Sequence, residues 1–405
     1  MDNSLMKATF SSLKHPAFRW YCLGVIASLT GSLMQEIVVA WIAYQMTGSS
    51  FVLGSILFCF QIPMLTLGII GGYAADRFDR KRIIVWTQRA ALLVCLTWLT
   101  LSATGHLAVW HLYVLSAVFG LIVAFEIPAR FAIIPQLVSD EDIMNAFSLD
   151  SLLFYSGRVA GPALAALMLG TLGATACFAA NALTYMFELI TLRYIEPKPR
   201  EESSSPGLRE AFAFAYGNSS LRRLLLMVAV FSFCGVYIPL MPVFTGLLHG
   251  NETTNGFLVA SSEIGAMIGS LILAYVTASK TRAASLPRYV GIAGVSYAVF
   301  LALFAGSTNI AFSMAMIVPV GFSMTIVLIG SHALVQSHVE DRMRGVISTV
   351  FWMYSYFGMF AIGGPVFGWL VEKFGPAVTM QGGAVACVLA TALYLTSKSR
   401  TEKSA

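Results

Sequence analysis

Apolar runs of about 20 residues recur along the chain, each closed by a short polar break. At 1.5 Å rise per residue such a run covers the roughly 30 Å hydrocarbon core of a bilayer. The pattern therefore predicts membrane-crossing helices at 19–44, 51–75, 83–103, 108–130, 145–170 and 174–195. A second set is predicted at 222–246, 255–278, 287–305, 310–333, 345–371 and 376–397. A transmembrane barrel would alternate polar and apolar residues over segments of about 10, and no such alternation occurs.

The longest polar break, Glu196 to Ser220, carries Pro197, Pro199, Pro206, Gly207 and a serine run, and it divides the predicted spans six and six. A weak repeat crosses it. The stretch from Gln136 reaches Gly161-Pro162 and exits at Gly173, and the stretch from Gln336 reaches Gly364-Pro365 and exits at Gly375. The expected fold is all-α and integral to the membrane, twelve transmembrane helices in two pseudo-symmetric six-helix bundles. Its expected domains are 1–195 and 221–405, with 196–220 as a cytoplasmic linker.

Composition agrees with that pattern. Hydrophobic residues make up 57% of the 405 and charged residues 11%, against about 25% charged in soluble proteins. Lys and Arg then set the orientation. Lys7, Lys14, Arg19, Arg77, Arg80, Lys81, Arg82, Arg193, Lys198, Arg200, Arg209, Lys280, Arg282, Arg288, Arg342, Arg344, Lys398, Arg400 and Lys403 fall in alternate breaks, and of the opposite breaks only the one with Lys373 holds any. The asymmetry predicts both termini in the cytoplasm and explains the net charge of +5 without a nucleic-acid partner. No cleavable leader is expected, because polar and basic residues up to Arg19 precede a full-length first span. The six cysteines lie singly in apolar runs, outside any ligand-pair spacing. No cofactor or metal site is expected, and no nucleophile and base are recognisable.

The break after the second span reads Gly72-Tyr-Ala-Ala-Asp76-Arg77-Phe-Asp79-Arg80-Lys81-Arg82. It resembles the GxxxDRxGRR signature of the major facilitator superfamily, with Asp79 where that family has Gly. The resemblance implies a cytoplasmic gate built on Gly72, Asp76, Arg77, Arg80 and Glu126. In it Gly72 allows close helix approach, Asp76 faces the start of the eleventh helix near Gly345, and Arg80 pairs with Glu126. In the fifth span, Gly157-Arg158-Val-Ala-Gly161-Pro162-Ala-Leu-Ala165-Ala166 resembles the GxxxGPxxGG signature of the superfamily's antiporters, with Ala at the last two positions. Gly157 and Gly161 stand one turn apart, a spacing suited to close helix packing, and Pro162 removes a backbone hydrogen bond. The stretch from Pro128-Ala-Arg130 to Pro162 is similar to the drug:proton antiporter-3 group, which includes siderophore exporters and macrolide efflux pumps. That resemblance implies a secondary transporter working by alternating access, with export favoured. Its implied partners are a small amphipathic substrate such as a siderophore or drug, protons and the lipid bilayer, and it is expected to act as a monomer in a bacterial inner membrane.

An ionised side chain at a helix centre costs roughly 2.5–3.5 kcal/mol on insertion scales, so each one inside a span is a functional candidate. Glu36, Arg158 and Glu263 are the candidates for proton coupling; the alternatives are substrate contact or a satisfied structural acid for Glu36, an anionic ligand or an ion pair with Asp150 or Glu36 for Arg158, and a hydrogen bond in the helix interface for Glu263. Glu188 and Arg193 are expected to snorkel. Gln35, Gln61, Tyr237, Trp352 and Tyr356 are substrate-cavity candidates, since aromatic rings with polar tips suit amphipathic ligands. His332 is expected to serve a capping or packing role. No GxxxxGK[ST] sequence is present, which disfavours direct use of ATP. An importer or lipid flippase on the same fold, or a sensor that does not transport, are the competing readings.

Overall fold

A computed structural model describes residues 10–198, 214, 217–277, 279, 282, 284–337, 339 and 343–401. Most of the expected linker, and Lys7, Arg200, Arg209, Lys280, Arg342 and Lys403 of the charge series, lie outside the described residues. The described chain is all-helical. After a short turn at Ser11–Lys14 come α1 (Pro16–Thr47), α2 (Ser50–Arg77), α3 (Arg80–Ala103), α4 (Val109–Leu137) and α5 (Ile143–Thr191). Next are α6 (Ser219–Cys234), α7 (Met241–Leu247), α8 (Glu252–Thr277), α9 (Leu286–Ala305) and α10 (Ile310–Ser337). The chain closes with α11 (Arg344–Thr349), a π-helical stretch (Val350–Gly358), α12 (Met359–Phe374) and α13 (Pro376–Thr401). Among the described residues ten helical segments are long and apolar enough to cross a membrane.

The solvent these helices suit is visible on their outer faces. Leu93, Leu183 and Leu393 are exposed by 66%, 65% and 63%, a pattern expected where lipid rather than water covers the surface. Helix ends follow local chemistry. Asp79 caps α3, its carboxylate accepting from the Arg82 backbone N–H at 3.0 Å, so the residue that departs from the signature starts a helix. Inside α5, Gly173 has φ 79 and ψ 173, and Gly375 between α12 and α13 has φ 81 and ψ 157. This backbone region is essentially confined to glycine. The two repeat-related glycines thus turn the chain in the same way.

One span departs from expectation. The sequence predicts a continuous helix over 222–246, but α6 stops at Cys234 and α7 starts only at Met241. Gly235, Pro239 and Pro242 account for the interruption, since proline withholds an N–H and disfavours helix in the residue before it. The second departure is the nine-residue π-helical stretch, where regular α-helix is expected.

Two compact units result. Unit 1 holds Met1–Val39 and Ile62–Ser203, and unit 2 holds Ala40–Gln61 and Ser204–Ala405. Unit 1 packs Phe18, Ile84, Ile133, Ile134, Ala146 and Ile195 into one fully buried cluster. Beside it, Asp142 collects Lys14 Nζ and His15 Nε2, both at 2.8 Å, and Ser139 Oγ at 2.9 Å, tying the N-terminal turn to the start of α5. Unit 2 packs Phe231, Tyr297, Phe304 and Phe351 without exposure above 1%. It also takes in the end of α1 and the start of α2. There Ser50 Oγ donates to Gly368 O at 2.9 Å, and Glu372 accepts from Phe51 N at 3.1 Å and from Ser49 Oγ.

Candidate functional site

The Gly157–Pro162 stretch forms a helix crossing in unit 1. A Cβ placed on Gly161 would lie 2.7 Å from Leu33 Cβ and 3.0 Å from both Met34 N and Thr30 O. A Cβ on Gly157 would lie 3.0 Å from Leu29 Cγ. Position 157 thus faces 29 and position 161 faces 33, so α1 and α5 run parallel through this contact. The missing side chains let the two backbones approach closely. Pro162 is buried on the same stretch.

Glu36 lies one turn beyond Leu33 on α1, on an exposed position among buried neighbours. At 1.5 Å per residue it stands about 30 Å along the helix from Pro16. Arg158 is half-buried on α5 beside Gly157, its guanidinium carbon 5.6 Å from the Phe154 ring centroid. That separation is within cation–π range. An exposed acid and a half-buried cation therefore flank one tightly packed crossing. The third coupling candidate, Glu263, is buried in unit 2 at 4% exposure, next to Ser262.

The signature in the α2–α3 turn behaves differently from expectation at two points. Gly72 has open space where a Cβ would stand, whereas a Cβ on Gly71 would run into the Ala124 carbonyl and lie 3.2 Å from Phe125 Cα. Close approach of α2 to α4 is thus the work of Gly71. The Arg80–Glu126 pair is also not formed. Arg80 Nε donates to Ala75 O at 2.9 Å, and Glu126 Oε1 accepts from Arg130 Nε at 2.6 Å and Gln88 Nε2 at 2.8 Å. Arg130 sits four residues beyond Glu126, one helical turn on the same face, and outcompetes a cation on another helix. Arg77 Nη1 donates to the Tyr73 hydroxyl at 2.5 Å, and Asp76 is exposed. The side-chain surroundings of Gly345 lie outside the described residues.

The cavity candidates separate into two groups. Gln35 is 4% exposed, and its Oε1 accepts from Asn181 Nδ2 at 2.8 Å and Cys95 Sγ at 3.3 Å, so its amide joins α1, α3 and α5. Tyr237 is 3% exposed and shares a 2.9 Å hydroxyl–hydroxyl hydrogen bond with Ser262. These two are held inside helix interfaces. Gln61 is 5% exposed, its Oε1 without a partner among the described residues. Trp352 and Tyr356 are half-buried and lie on the π-helical stretch, an irregularity often found at functional positions. Their rings meet at right angles, with centroids 5.5 Å apart, and Tyr356 stacks on Phe360 at 6.0 Å.

His332 extends this aromatic ladder. Its ring centroid is 5.3 Å from that of Trp352, and Nε2 lies 3.0 Å from Ser348 Oγ and 3.3 Å from Gln336 Nε2. Glu188 does not snorkel: it is 1% exposed, with Oε1 accepting from Arg130 Nη2 at 2.6 Å. The sequence reading missed this ion cluster. The available signal was the i,i+4 spacing of Glu126 and Arg130, together with an acid at 188 amid apolar residues. Among the described residues no group of His, Cys, Asp and Glu could hold a metal ion.

Comparison with known proteins places these features in context. A family model described as transmembrane secretion effector matches residues 7–405. The chain is 24% identical over 381 residues to the staphyloferrin A transporter of Staphylococcus aureus, covering 90% of this chain and 92% of that one. It is 26% identical over 265 residues to the enterobactin exporter EntS of Citrobacter koseri, covering 64% of this chain and 63% of that one. Among solved structures, a bacterial homologue of the human lysosomal transporter Spinster superposes with a TM-score of 0.75 at 14% identity, covering 95% of this chain and 97% of that one. The nucleoside transporter NupG superposes with a TM-score of 0.74 at 12% identity, over 93% and 98% of the two chains. At such identities the structural likeness establishes a major-facilitator-like fold and nothing about substrate.

Proposed function

The chain belongs to the transmembrane secretion effector family of major facilitator transporters, a multi-pass membrane protein rather than an enzyme, and from that premise we propose that it is a proton-coupled exporter of a small amphipathic molecule, a siderophore in the first instance. The observation that carries the reading is the parallel α1–α5 crossing. It combines the glycine pair of an antiporter-type motif with an exposed acid, Glu36, and a half-buried cation, Arg158. The enterobactin exporter and the staphyloferrin A transporter, similar over most of this chain, favour a siderophore over other cargo. The π-helical stretch with Trp352 and Tyr356, and His332 beside it, offers stacking faces and hydrogen-bonding tips for such a ligand.

In this reading the Gly173 turn divides α5 into two crossings and α6 with α7 makes one broken crossing, completing twelve in two pseudo-symmetric six-helix bundles. Both termini face the cytoplasm, following the distribution of Lys and Arg. Asp76 is the gate acid at the cytoplasmic side, and transport proceeds by alternating access. One proton moving down about 150 mV supplies roughly 3.5 kcal/mol, enough for a substrate gradient of a few hundredfold. The test is the spent medium of a deletion strain under iron limitation, analysed by mass spectrometry. A siderophore that disappears from the medium and returns on complementation supports export. A compound that instead accumulates outside the deletion strain would identify an importer.

A further inference from the structure

One guanidinium in unit 1 serves more acids than it can neutralise. Arg130 on α4 binds Glu126 through Nε and Glu188 through Nη2, each at 2.6 Å. The Arg130, Glu126 and Glu188 side chains are exposed by 15%, 14% and 1%. A third acid, Asp150 on α5, lies within electrostatic range of Arg130 and accepts from the Tyr21 hydroxyl of α1 at 3.1 Å. The groups facing the cluster from each packed element are Tyr21 on α1, Gln88 on α3, and Asp150 and Tyr185 on α5. None of these adds a positive charge. With every acid ionised, the two glutamates and Arg130 carry a net charge of −1 and Asp150 adds another, around a Glu188 side chain that is only 1% exposed.

The hydrogen bonding is incomplete in a way that matches the charge excess. Glu188 Oε2, Arg130 Nη1 and Gln88 Oε1 are all buried without a partner among the described residues. A buried carboxylate oxygen left bare is costly. Glu188 also packs close to α1, where a Cβ on Gly24 would lie 3.0 Å from its Cγ.

We propose that Glu126, Arg130 and Glu188 form a proton-exchange site in which two carboxyl groups share one guanidinium and one transferable proton. Binding the proton converts one carboxylate to a neutral acid, leaves Arg130 paired with the other, and brings the three groups from −1 to zero. Releasing it restores the doubly bound guanidinium. This inference rests on the proton-coupled reading above and supplies that reading with a site besides Glu36.

The test is an infrared titration of the full chain reconstituted in liposomes, following the carbonyl stretch of protonated carboxyl groups as pH is stepped, with no substrate added. The wild-type protein is expected to show a reversible titrating band. That band is lost in Glu188→Gln, shifted in pH in Arg130→Lys, and unchanged in Glu141→Gln, whose side chain is exposed in the helical turn Asp140–Asp142 before α5. If Glu188→Gln fails to reach the membrane, Glu126→Gln reads the same site. A band identical to wild type in both glutamate variants overturns the proposal. A band that behaves as expected in a protein whose export ignores a protonophore would instead overturn proton coupling and leave the site standing.

Discussion

Replacing Gly161 with alanine adds one methyl group at the α1–α5 crossing, and its cost can be worked from the geometry. The new Cβ would stand 2.7 Å from Leu33 Cβ and 3.0 Å from Met34 N and Thr30 O. Restoring ordinary contact requires the helices to part by about 1 Å, since apolar atoms prefer about 3.5–4.0 Å. None of the three obstructing atoms can swing aside by changing rotamer. Overpacking of this kind costs about 1–3 kcal/mol, offset by up to about 1 kcal/mol of helix propensity on replacing glycine. The net expectation is a loss of about 1–2 kcal/mol. Gly157→Ala is the internal control. Its Cβ would meet only Leu29 Cγ and Cδ2 at 3.0 Å, atoms that a rotamer change removes, so the expected change is within about 0.5 kcal/mol. Thermal unfolding of the purified variants in detergent, followed by intrinsic fluorescence, measures both. A Gly157→Ala variant as unstable as Gly161→Ala, or a neutral Gly161→Ala, would refute the geometric argument.

Three further outcomes are expected. Gly173→Ala and Gly375→Ala each force a side chain into a backbone region that only glycine occupies readily, costing about 1–3 kcal/mol, and each should lower the melting temperature; a stabilised variant would contradict the turn geometry. The Asp142 carboxylate is held well below the usual carboxylate range, chiefly by Lys14 and then by Ser11, His15 and Ser139. Its contribution is therefore fully present above about pH 4 and lost as pH falls from there through the lowered value; Asp142→Asn should lower stability at pH 7 and flatten the acid limb of a melting-temperature profile carried from pH 7 down to about pH 2. Glu372→Ala removes the acceptor at the start of α2, worth about 0.3–1 kcal/mol at a helix N-terminus; faster modification by a thiol reagent of a cysteine introduced at Ser49 would report the loosened end, and an unchanged rate would contradict the latch.

How much of this was legible beforehand depends on which physical signal each feature leaves. Long apolar helices follow from hydrophobicity, and some limits match closely: 287–305 is expected and Leu286–Ala305 is observed, whereas 222–246 is broken. Gly173 and Gly375 were visible because a turn needing positive φ selects one residue type. The Gly157–Gly161 pair was visible because its spacing matches a helical face. The π-helical stretch was not, since its longer hydrogen-bond register leaves no mark on a run in which nearly every residue is apolar. The break between Cys234 and Met241 was signalled by Gly235, Pro239 and Pro242 but was hidden under an unbroken apolar run. Partner choice was the least legible of all. Signature spacing assigned Glu126 to Arg80 and close approach to Gly72, while Arg130 and Gly71 do these jobs. Neighbours four residues apart on one helix, or one residue along it, differ by less than a motif resolves.

Proton-driven export can be measured as uptake of labelled siderophore into everted membrane vesicles energised to an acidic interior. The vesicles should accumulate substrate, lose that accumulation when a protonophore is added, and show none in Glu36→Gln although the protein remains in the membrane. Accumulation of the same size with and without the protonophore would contradict proton-driven export.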